Sequence, residues 1–186
     1  MKAGVVVAII AVLAVIVGTA VFLVWNSTPE TVEHIDTIME LTSPAFEEGS
    51  AIPAKYTCDG ENVNPPLAIS GVPNSAATLA LVMDDPDAVK PAGKVWDHWI
   101  VWNVPADTTE VSEGEEPVGV HGTGTGGNTA YSGPCPPDAE HTYRFTLYAL
   151  DVELELSAGA TKAELESAME GHVLEQVTLT GTYNRT

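Results

Sequence analysis

The chain has 186 residues and a formal net charge of -19, from 26 acidic and only 7 basic side chains. This charge excludes nucleic acid as a partner, because nucleic-acid binding needs clustered Lys and Arg side chains that displace counterions. Hydrophobic residues make up 45% of the chain, which excludes disorder throughout, and 13 prolines and 16 glycines are typical of short strands joined by turns. An anion that binds this protein must therefore be held by local hydrogen-bond donors, against the field of the whole molecule.

Residues 1–25 form an apolar segment whose composition differs from that of the rest. The run from Ala3 to Trp25 carries no charge and is dominated by Val, Ala, Ile and Leu. A helix of that length rises roughly 35 Å, enough to cross a hydrocarbon core of about 30 Å. The segment therefore predicts a single transmembrane anchor at residues 1–25. A cleaved signal peptide is the alternative, although the apolar run of such a peptide is shorter, about 7–15 residues.

The charges around this segment predict its orientation. Lys2 lies on the short side, and an acidic stretch follows at residues 30–40. By the positive-inside rule the N-terminus faces the cytoplasm and the domain after the anchor is extracytoplasmic. Residues 26–40 are predicted to be a linker, and residues 41–186 to be one globular domain.

The globular part is a succession of short strand-like runs. Strands are predicted at Leu67–Ser70, Thr78–Met83, Trp99–Val104, Tyr143–Leu150 and Gln176–Tyr183. In the fourth run every second residue from Tyr143 to Ala149 is placed on one face, which is the period of a half-buried strand. In the last run Val177, Leu179 and Tyr183 are predicted to point inward.

One helix is predicted between the last two strands. Thr161 and Glu164 form a capping-box pattern, and candidate core positions then recur at helical spacing at Leu165, Ala168, Met169 and His172. Many strands followed by one late helix do not fit the alternating pattern of a parallel sheet. The sequence therefore predicts a mostly β fold, an antiparallel β-sandwich with one or two peripheral helices, preceded by the single N-terminal transmembrane helix.

A connection of about 30 residues separates Val104 from Pro134, and its length favours a role in lining a site. Within it, residues 122–127 match the pattern G-x-G-x-x-G. In nucleotide-binding proteins these glycines lie between a strand and a helix. The sequence pattern shows neither a strand before residue 122 nor a helix after residue 127. The segment is therefore interpreted as flexible and not as a nucleotide site.

Polar side chains gather in three segments that each adjoin a predicted strand: Met83–Ala88, Trp96–Trp99 and Gly133–Tyr143. Pro86 fixes its own φ and pushes Asp85 towards an extended conformation, so that this carboxylate leaves the strand at a defined place. His98 and His141 each lie at a strand end. Because sites gather at the loops that join strands, the pattern predicts a pocket built from Asp85, His98 and His141.

Six stretches, in chain order, resemble the phosphatidylethanolamine-binding protein family: Tyr56–Asn62, Asn64–Leu67, Asp85–Ala88, Trp96–Trp99, Gly133–Pro137 and Gly171–Tyr183. The likeness is closest to its bacterial and archaeal branch, often described as Raf kinase inhibitor-like proteins, and it covers about residues 41–185 of the 186. The resemblance implies a Greek-key antiparallel β-sandwich with peripheral helices and one small anion pocket at its edge.

The resemblance also implies the ligand-binding residues of that pocket: Asp85, Asp87, Trp96, His98, Pro136 (or Pro137), His141 and Tyr143. Two positions depart from the family pattern. Thr142 stands where the family usually has arginine, and Val89 replaces a proline that commonly closes the D-P-D-A-P motif. No catalytic residue, cofactor or metal is expected.

The predicted function is non-enzymatic binding of a small phosphate-bearing ligand, such as a phospholipid headgroup. His98, His141 and Tyr143 would supply donors, and Asp85 could orient a histidine or receive the ammonium of a zwitterionic headgroup. The alternative is an inhibitor or regulator of a protease or kinase, acting through surface loops. A third reading is an enzyme or metal site, since two histidines and carboxylates resemble a facial triad, but no nucleophile–base pair accompanies them.

Two cysteines, Cys58 and Cys135, complete the set of candidate residues. Outside the cytoplasm an even pair can form a disulfide, which would stabilise the fold by about 4 kcal/mol in the chain-entropy model. The alternative is two unrelated, partly buried thiols. The sequence alone leaves both open.

Overall fold

The structure, a computed structural model, describes residues 38–185. Nine strands form there: β1 (Glu40–Thr42), β2 (Ser50–Ala51), β3 (Leu67–Ser70), β4 (Thr78–Asp85), β5 (Trp96–Pro105), β6 (Glu110–Val111), β7 (Val120–His121), β8 (His141–Leu150) and β9 (Val173–Tyr183). The helices are α1 (Val89–Ala92), α2 (Lys162–Met169) and a 3-10 turn at Ala54–Tyr56.

The strands form two sheets, as expected for a sandwich. The larger sheet has six strands in the order β2-β9-β8-β4-β5-β7, and the smaller has three in the order β1-β3-β6. Neighbouring strands are antiparallel, except that β2 runs parallel to β9. The prediction of a mostly β fold with few helices therefore agrees with the structure.

The core lies between the two sheets. The predicted alternation in β8 is confirmed, because Tyr143, Phe145, Leu147 and Ala149 are all buried there. The small sheet contributes Leu41, Leu67, Ile69 and Val111 from the other side. Full burial of each large apolar side chain stabilises the fold by roughly 1.5–3 kcal/mol, so this layer is a main source of stability.

The opposite face of the larger sheet is covered by α2. Leu165 and Met169 of the helix are buried in one cluster with Val82 of β4 and Trp102 of β5. Because both faces are covered, all eight positions of β4 are buried. This explains why β4 is a continuous apolar run and does not alternate.

The capping box at the start of α2 is confirmed: the Thr161 side chain accepts from the Glu164 backbone N–H, and the Glu164 carboxylate accepts from the Thr161 N–H. The predicted helical position of His172 is wrong, because the helix ends at Met169. His172 lies in the turn to β9, and its Nδ1 is 2.8 Å from a carboxylate oxygen of Asp151.

The long connection between β5 and β8 is packed and not a free loop. It contributes β6 to the small sheet and β7 to the large one. A Cβ on Gly124 would lie 2.8 Å from the Asp97 carbonyl oxygen, so this glycine permits close packing against the start of β5. Gly122 and Gly124 therefore serve close packing, whereas a Cβ on Gly127 would meet nothing within 4 Å.

The membrane-spanning helix is the part of the predicted fold that must be corrected. Within residues 38–185 no helix is long and apolar enough to cross a membrane. The segment at residues 1–25 for which the sequence predicts that helix lies outside the described residues, as does most of the predicted linker. The fold as described is mostly β, and the single-pass topology has no support from it.

Candidate functional site

Three strand ends meet at one edge of the larger sheet. β4 lies between β5 and β8, and its last residue, Asp85, is opposite Trp96, the first residue of β5. β8 begins at His141 on the other side of β4. A cavity of about 320 Å³ opens here, lined by Asp85, Ala88, Pro91, Ala92, Trp96, His98, Ser132, Gly133, Cys135, Pro137 and His141. Strand order thus brings together segments that are distant in sequence.

A β-bulge turns His98 towards this cavity. The pairing of β4 with β5 passes from Met83–Trp99 directly to Asp84–Asp97, so the register skips His98. Strict alternation would place His98 on the same face as Ile100, beneath α2. The extra residue reverses that phase, which is a recurrent use of bulges beside binding sites.

His141 and Asp85 form a buried pair in the wall of the cavity. The His141 Nδ1 lies 2.7 Å from Asp85 Oδ2, and the two side chains are only 4% and 5% exposed. The other carboxylate oxygen of Asp85 accepts from the backbone N–H groups of Asp87 at 2.9 Å and Ala88 at 3.1 Å. A hydrogen bond to a charged group contributes about 1.5–3 kcal/mol, so the turn after β4 holds Asp85, and Asp85 orients His141.

His141 has a second carboxylate on its other nitrogen. Its Nε2 lies 3.0 Å from Asp138 Oδ1, in the loop before β8. Burial favours the neutral ring, but the hydrogen bonds and charges of Asp85 and Asp138 outweigh burial and raise the pKa of His141. With a carboxylate at each ring nitrogen, both nitrogens act as donors, so His141 is an imidazolium.

His98 has the opposite electrostatic character. Its Nδ1 lies 2.7 Å from the Ser132 carbonyl oxygen, and because a carbonyl only accepts, Nδ1 carries the proton. Burial lowers the pKa of His98, more than the Ser132 hydrogen bond and the charge of Asp85 raise it. The environments of the two histidines that line the cavity thus move their pKa values apart, that of His141 upward and that of His98 downward.

Tyr143 lies behind the two histidines. Its ring meets that of His98 edge-on at 5.4 Å between centroids and lies 6.4 Å from that of His141. The hydroxyl is buried without a hydrogen-bond partner among residues 38–185. Burial, followed by the charge of Asp85, raises the pKa of Tyr143, so the phenol stays protonated.

Comparison with known proteins places the chain and its fold in a family. The family model described as phosphatidylethanolamine-binding protein matches residues 42–184. The chain belongs to this family. The UPF0098 protein of Methanothermobacter thermautotrophicus is 48% identical over 153 residues, which cover 79% of this chain and 99% of that protein.

A solved structure and a mycobacterial relative extend the comparison. The crystal structure of a phosphatidylethanolamine-binding protein homologue from Chlamydia trachomatis is 44% identical, with a TM-score of 0.76, and the match covers 81% of this chain and 99% of that one. A protein of Mycobacterium tuberculosis that is named as a lipoprotein is 43% identical over 148 residues, covering 78% of this chain and 72% of that protein.

Four of the residues that the family resemblance implies line the cavity together: Asp85, Trp96, His98 and His141. Three do not line it. Asp87 is exposed, and its carboxylate accepts from the Thr142 N–H at 2.8 Å, which fastens the turn after β4 to the start of β8. Pro136 lines a neighbouring polar recess, while Pro137 reaches the main cavity. Tyr143 lies behind the lining.

Sequence reasoning missed three contributors. Ser132 acts through its backbone carbonyl, which leaves no mark on the residue type. Gly133 forms part of the wall, and its N–H donates to the Asn62 side chain at 2.8 Å. Asp138 could have been found, because a carboxylate three residues before a histidine is within reach of its ring.

The wall between Ser132 and Pro137 is fastened to the segment that follows the 3-10 turn. Cys58 and Cys135 form a disulfide with their Cα atoms 5.4 Å apart, and the Cys58 N–H donates to the Pro134 carbonyl at 3.1 Å. Closure of a loop of this length stabilises a fold by about 4 kcal/mol in the chain-entropy model. Since Cys135 lines the cavity, the crosslink holds one wall of the site in place.

The carboxylates around His141 do not converge on a common point. Asp85 and Asp138 lie at opposite nitrogens of the ring, so the histidine stands between them. In the part of the chain that the structure describes, no group of three His, Cys, Asp or Glu side chains is arranged to hold a metal ion.

Proposed function

We propose that the domain binds a small phosphate-bearing anion in the cavity at the ends of β4, β5 and β8. The observation that carries the proposal is the pairing of His141 with Asp85, which keeps one imidazolium in the wall of a cavity. A charged imidazole at this one place can hold an anion that takes the position of one of its two carboxylate partners, in spite of a net charge of -19. The family to which the chain belongs supports the same reading.

The size of the cavity favours a headgroup over a whole lipid. Its volume of about 320 Å³ lies at the lower end of the range of about 300–1,000 Å³ that small-molecule sites occupy. A phosphate with a short polar substituent fits such a space. Trp96 and Pro137 at the lining supply apolar surface for the substituent.

Binding, and not catalysis, is supported by the state of the two potential nucleophiles in the lining. Cys135 is bonded to Cys58 and has no free thiol. Ser132 meets His98 through its carbonyl, so His98 donates to Ser132 and does not act as a base towards its hydroxyl.

Calorimetric titration with inorganic phosphate and phosphoethanolamine tests this proposal. His141→Ala should weaken the binding of both by at least about tenfold, because a charge-assisted hydrogen bond is lost. His172→Ala is the matched control, since His172 is also paired with an aspartate but lies in the turn after α2. If His141→Ala binds both ligands as tightly as His172→Ala does, the site is wrong.

A protein target is the second candidate function. It rests on the exposed segment between β6 and β7, where Val118 is 79% exposed among acidic residues. Such a segment could contact a protease or kinase without the cavity. Inhibition of a target that survives His141→Ala but is lost in Val118→Asp would favour this candidate, and the reverse pattern would exclude it.

The disulfide supports a location in an oxidising compartment. Crosslinks of this kind persist outside the cytoplasm and are rare inside it, apart from hyperthermophiles. The mycobacterial relative that is named as a lipoprotein supports a place at a membrane. Alkylation of free thiols in freshly lysed cells should leave Cys58 and Cys135 unlabelled, and labelling of both would contradict this location.

A further inference from the structure

The contact between Asp138 and His141 is unusual for a site that would bind an anion. The Asp138 side chain is 47% exposed, yet its Oδ1 lies 3.0 Å from the Nε2 of a histidine that is only 4% exposed. A carboxylate at a ring nitrogen stands in the place that an anionic ligand would need. Asp138 lines the recess beside the cavity, so the wall that carries His141 already holds an anion at the ring.

All three ring N–H groups of the two histidines that line the cavity already have an acceptor. The Nδ1 of His141 donates to Asp85 and its Nε2 to Asp138, while the single ring N–H of His98 donates to the Ser132 carbonyl. Asp85 is buried and held by two backbone N–H groups, whereas Asp138 is on an exposed loop. The bond to Asp138 is therefore the one that a ligand can replace.

We propose that Asp138 is a tethered competitor, which occupies His141 Nε2 in the free protein and moves away when an anion binds. This inference rests on the proposed function. Because the competitor is part of the chain, its effective concentration is about millimolar or higher, and every ligand must overcome the same cost. Asp138 thus sets a threshold for affinity.

The threshold selects by charge. A singly charged anion is attracted to the imidazolium no more strongly than the carboxylate that it displaces. A doubly charged anion is attracted about twice as strongly at the same distance. The ligand class that the site selects is therefore a phosphate dianion, either free phosphate or a phosphomonoester headgroup, in preference to the singly charged phosphodiester.

Sulfate and methyl sulfate test the competitor, since their charges differ by one and do not change near neutral pH. At about pH 6, below the ordinary pKa of histidine, His141 stays charged. Asp138→Ala should strengthen the binding of both anions by about tenfold, the value of a hydrogen bond to a charged group. Glu140→Ala is the matched control, because it removes an exposed carboxylate two residues away that makes no hydrogen bond or ion pair within residues 38–185.

Two results would overturn the competitor. If Asp138→Ala strengthens sulfate binding no more than Glu140→Ala does, Asp138 does not compete with the ligand. If Asp138→Ala weakens sulfate binding, Asp138 helps to hold the ligand. In the unaltered protein, phosphoethanolamine should bind more tightly than glycerophosphoethanolamine at about pH 7, where a phosphomonoester is mostly doubly charged. Equal affinities for these two ligands would contradict the claim that the site selects its ligand by charge.

A ligand-free measurement separates this inference from the proposed function. The charged and titratable groups around His141 are Asp85 from β4, Asp138 from the loop, His98 from β5 and Tyr143 from its own strand. Asp138→Ala removes one carboxylate and should lower the pKa of His141, seen by NMR of the ring. If neither phosphate nor sulfate binds any variant, the proposed function fails. If sulfate binds but has the same affinity for Asp138→Ala and Glu140→Ala, only the proposal that Asp138 competes with the ligand fails.

Discussion

Two neighbouring carboxylates, Asp84 and Asp85, end β4 and face opposite sides of the sheet. Asp84 accepts two hydrogen bonds from Arg144, at 2.7 and 2.8 Å, and another from Lys162. Burial works to raise the pKa of Asp84, but these two cations outweigh it and lower the pKa. Asp85 instead has a histidine and a cavity. The same residue type thus serves as a permanent structural anchor on one face and as part of a titratable site on the other.

The difference lies in what neutralises each charge. The chain has 7 Lys and Arg residues, and two of them are committed to Asp84. These cations keep their charge at any pH near neutrality, so Asp84 stays paired within the protein. We call the side of the sheet that carries Asp84 and α2 the closed face, and the side that carries the cavity the open face. His141 is charged only in part of the pH range, and an exposed carboxylate, Asp138, pairs with it in addition to the buried Asp85. The cavity face can therefore exchange one anion for another.

The largest expected effect is on the closed face. Asp84→Asn leaves Lys162 largely buried without the nearest of its three carboxylate partners, and should lower the free energy of unfolding by about 3 kcal/mol at neutral pH. Since the pKa of Asp84 is lowered by folding, this loss should shrink as pH falls through the unfolded value of 3.8. Urea unfolding measures it, with Asp151→Asn, an exposed partner of His172, as the control of near-zero effect.

Asp84→Asn should leave phosphate binding unchanged while the protein is folded. This is the sharper half of the comparison, because Asp84 is next to Asp85 in sequence but on the other face. A tenfold loss of phosphate affinity in folded Asp84→Asn would mean that the two faces are not independent.

The next effect is on the open face. Asp85→Asn removes the hydrogen bond and the charge that raise the pKa of His141, so His141 should lose its proton at a lower pH. At about pH 7 sulfate binding should weaken by roughly tenfold or more, and a part of it should return at about pH 5, where the ring is charged again and sulfate keeps its charge. Sulfate titration at both pH values checks this, and a loss that is equal at both would show that Asp85 acts in another way.

The sequence predicted the elements whose signals are local. The two-residue period of β8 follows from one buried face, and the capping box of α2 needs only Thr161 and Glu164. The gathering of Asp85, His98 and His141 at strand ends was also accessible, because each lies beside an apolar run. Their actual proximity depends on β4 lying between β5 and β8, and the resemblance to the family implied that arrangement while periodicity did not.

The remaining features depend on tertiary contacts. The bulge at His98 cannot be read from Trp96-Asp97-His98-Trp99, because simple alternation assigns the opposite face. The helical position of His172 was wrong, since the turn to β9 interrupts the helical period. The transmembrane helix rested on length and hydropathy in residues 1–25 alone, and no described helix matches it.

The central claim is that the cavity holds two histidines whose pKa values are moved in opposite directions by their neighbours. A pH titration of the ring resonances in the free protein tests it directly. His141 should titrate above the ordinary value of 6.5 and His98 below it. By linkage, His141 contributes stability that is present below 6.5 and lost as pH rises through its folded pKa, whereas the low pKa of His98 costs stability as pH falls. Addition of phosphate should move both resonances, and two histidines that titrate together near 6.5 and do not respond to phosphate would contradict the account.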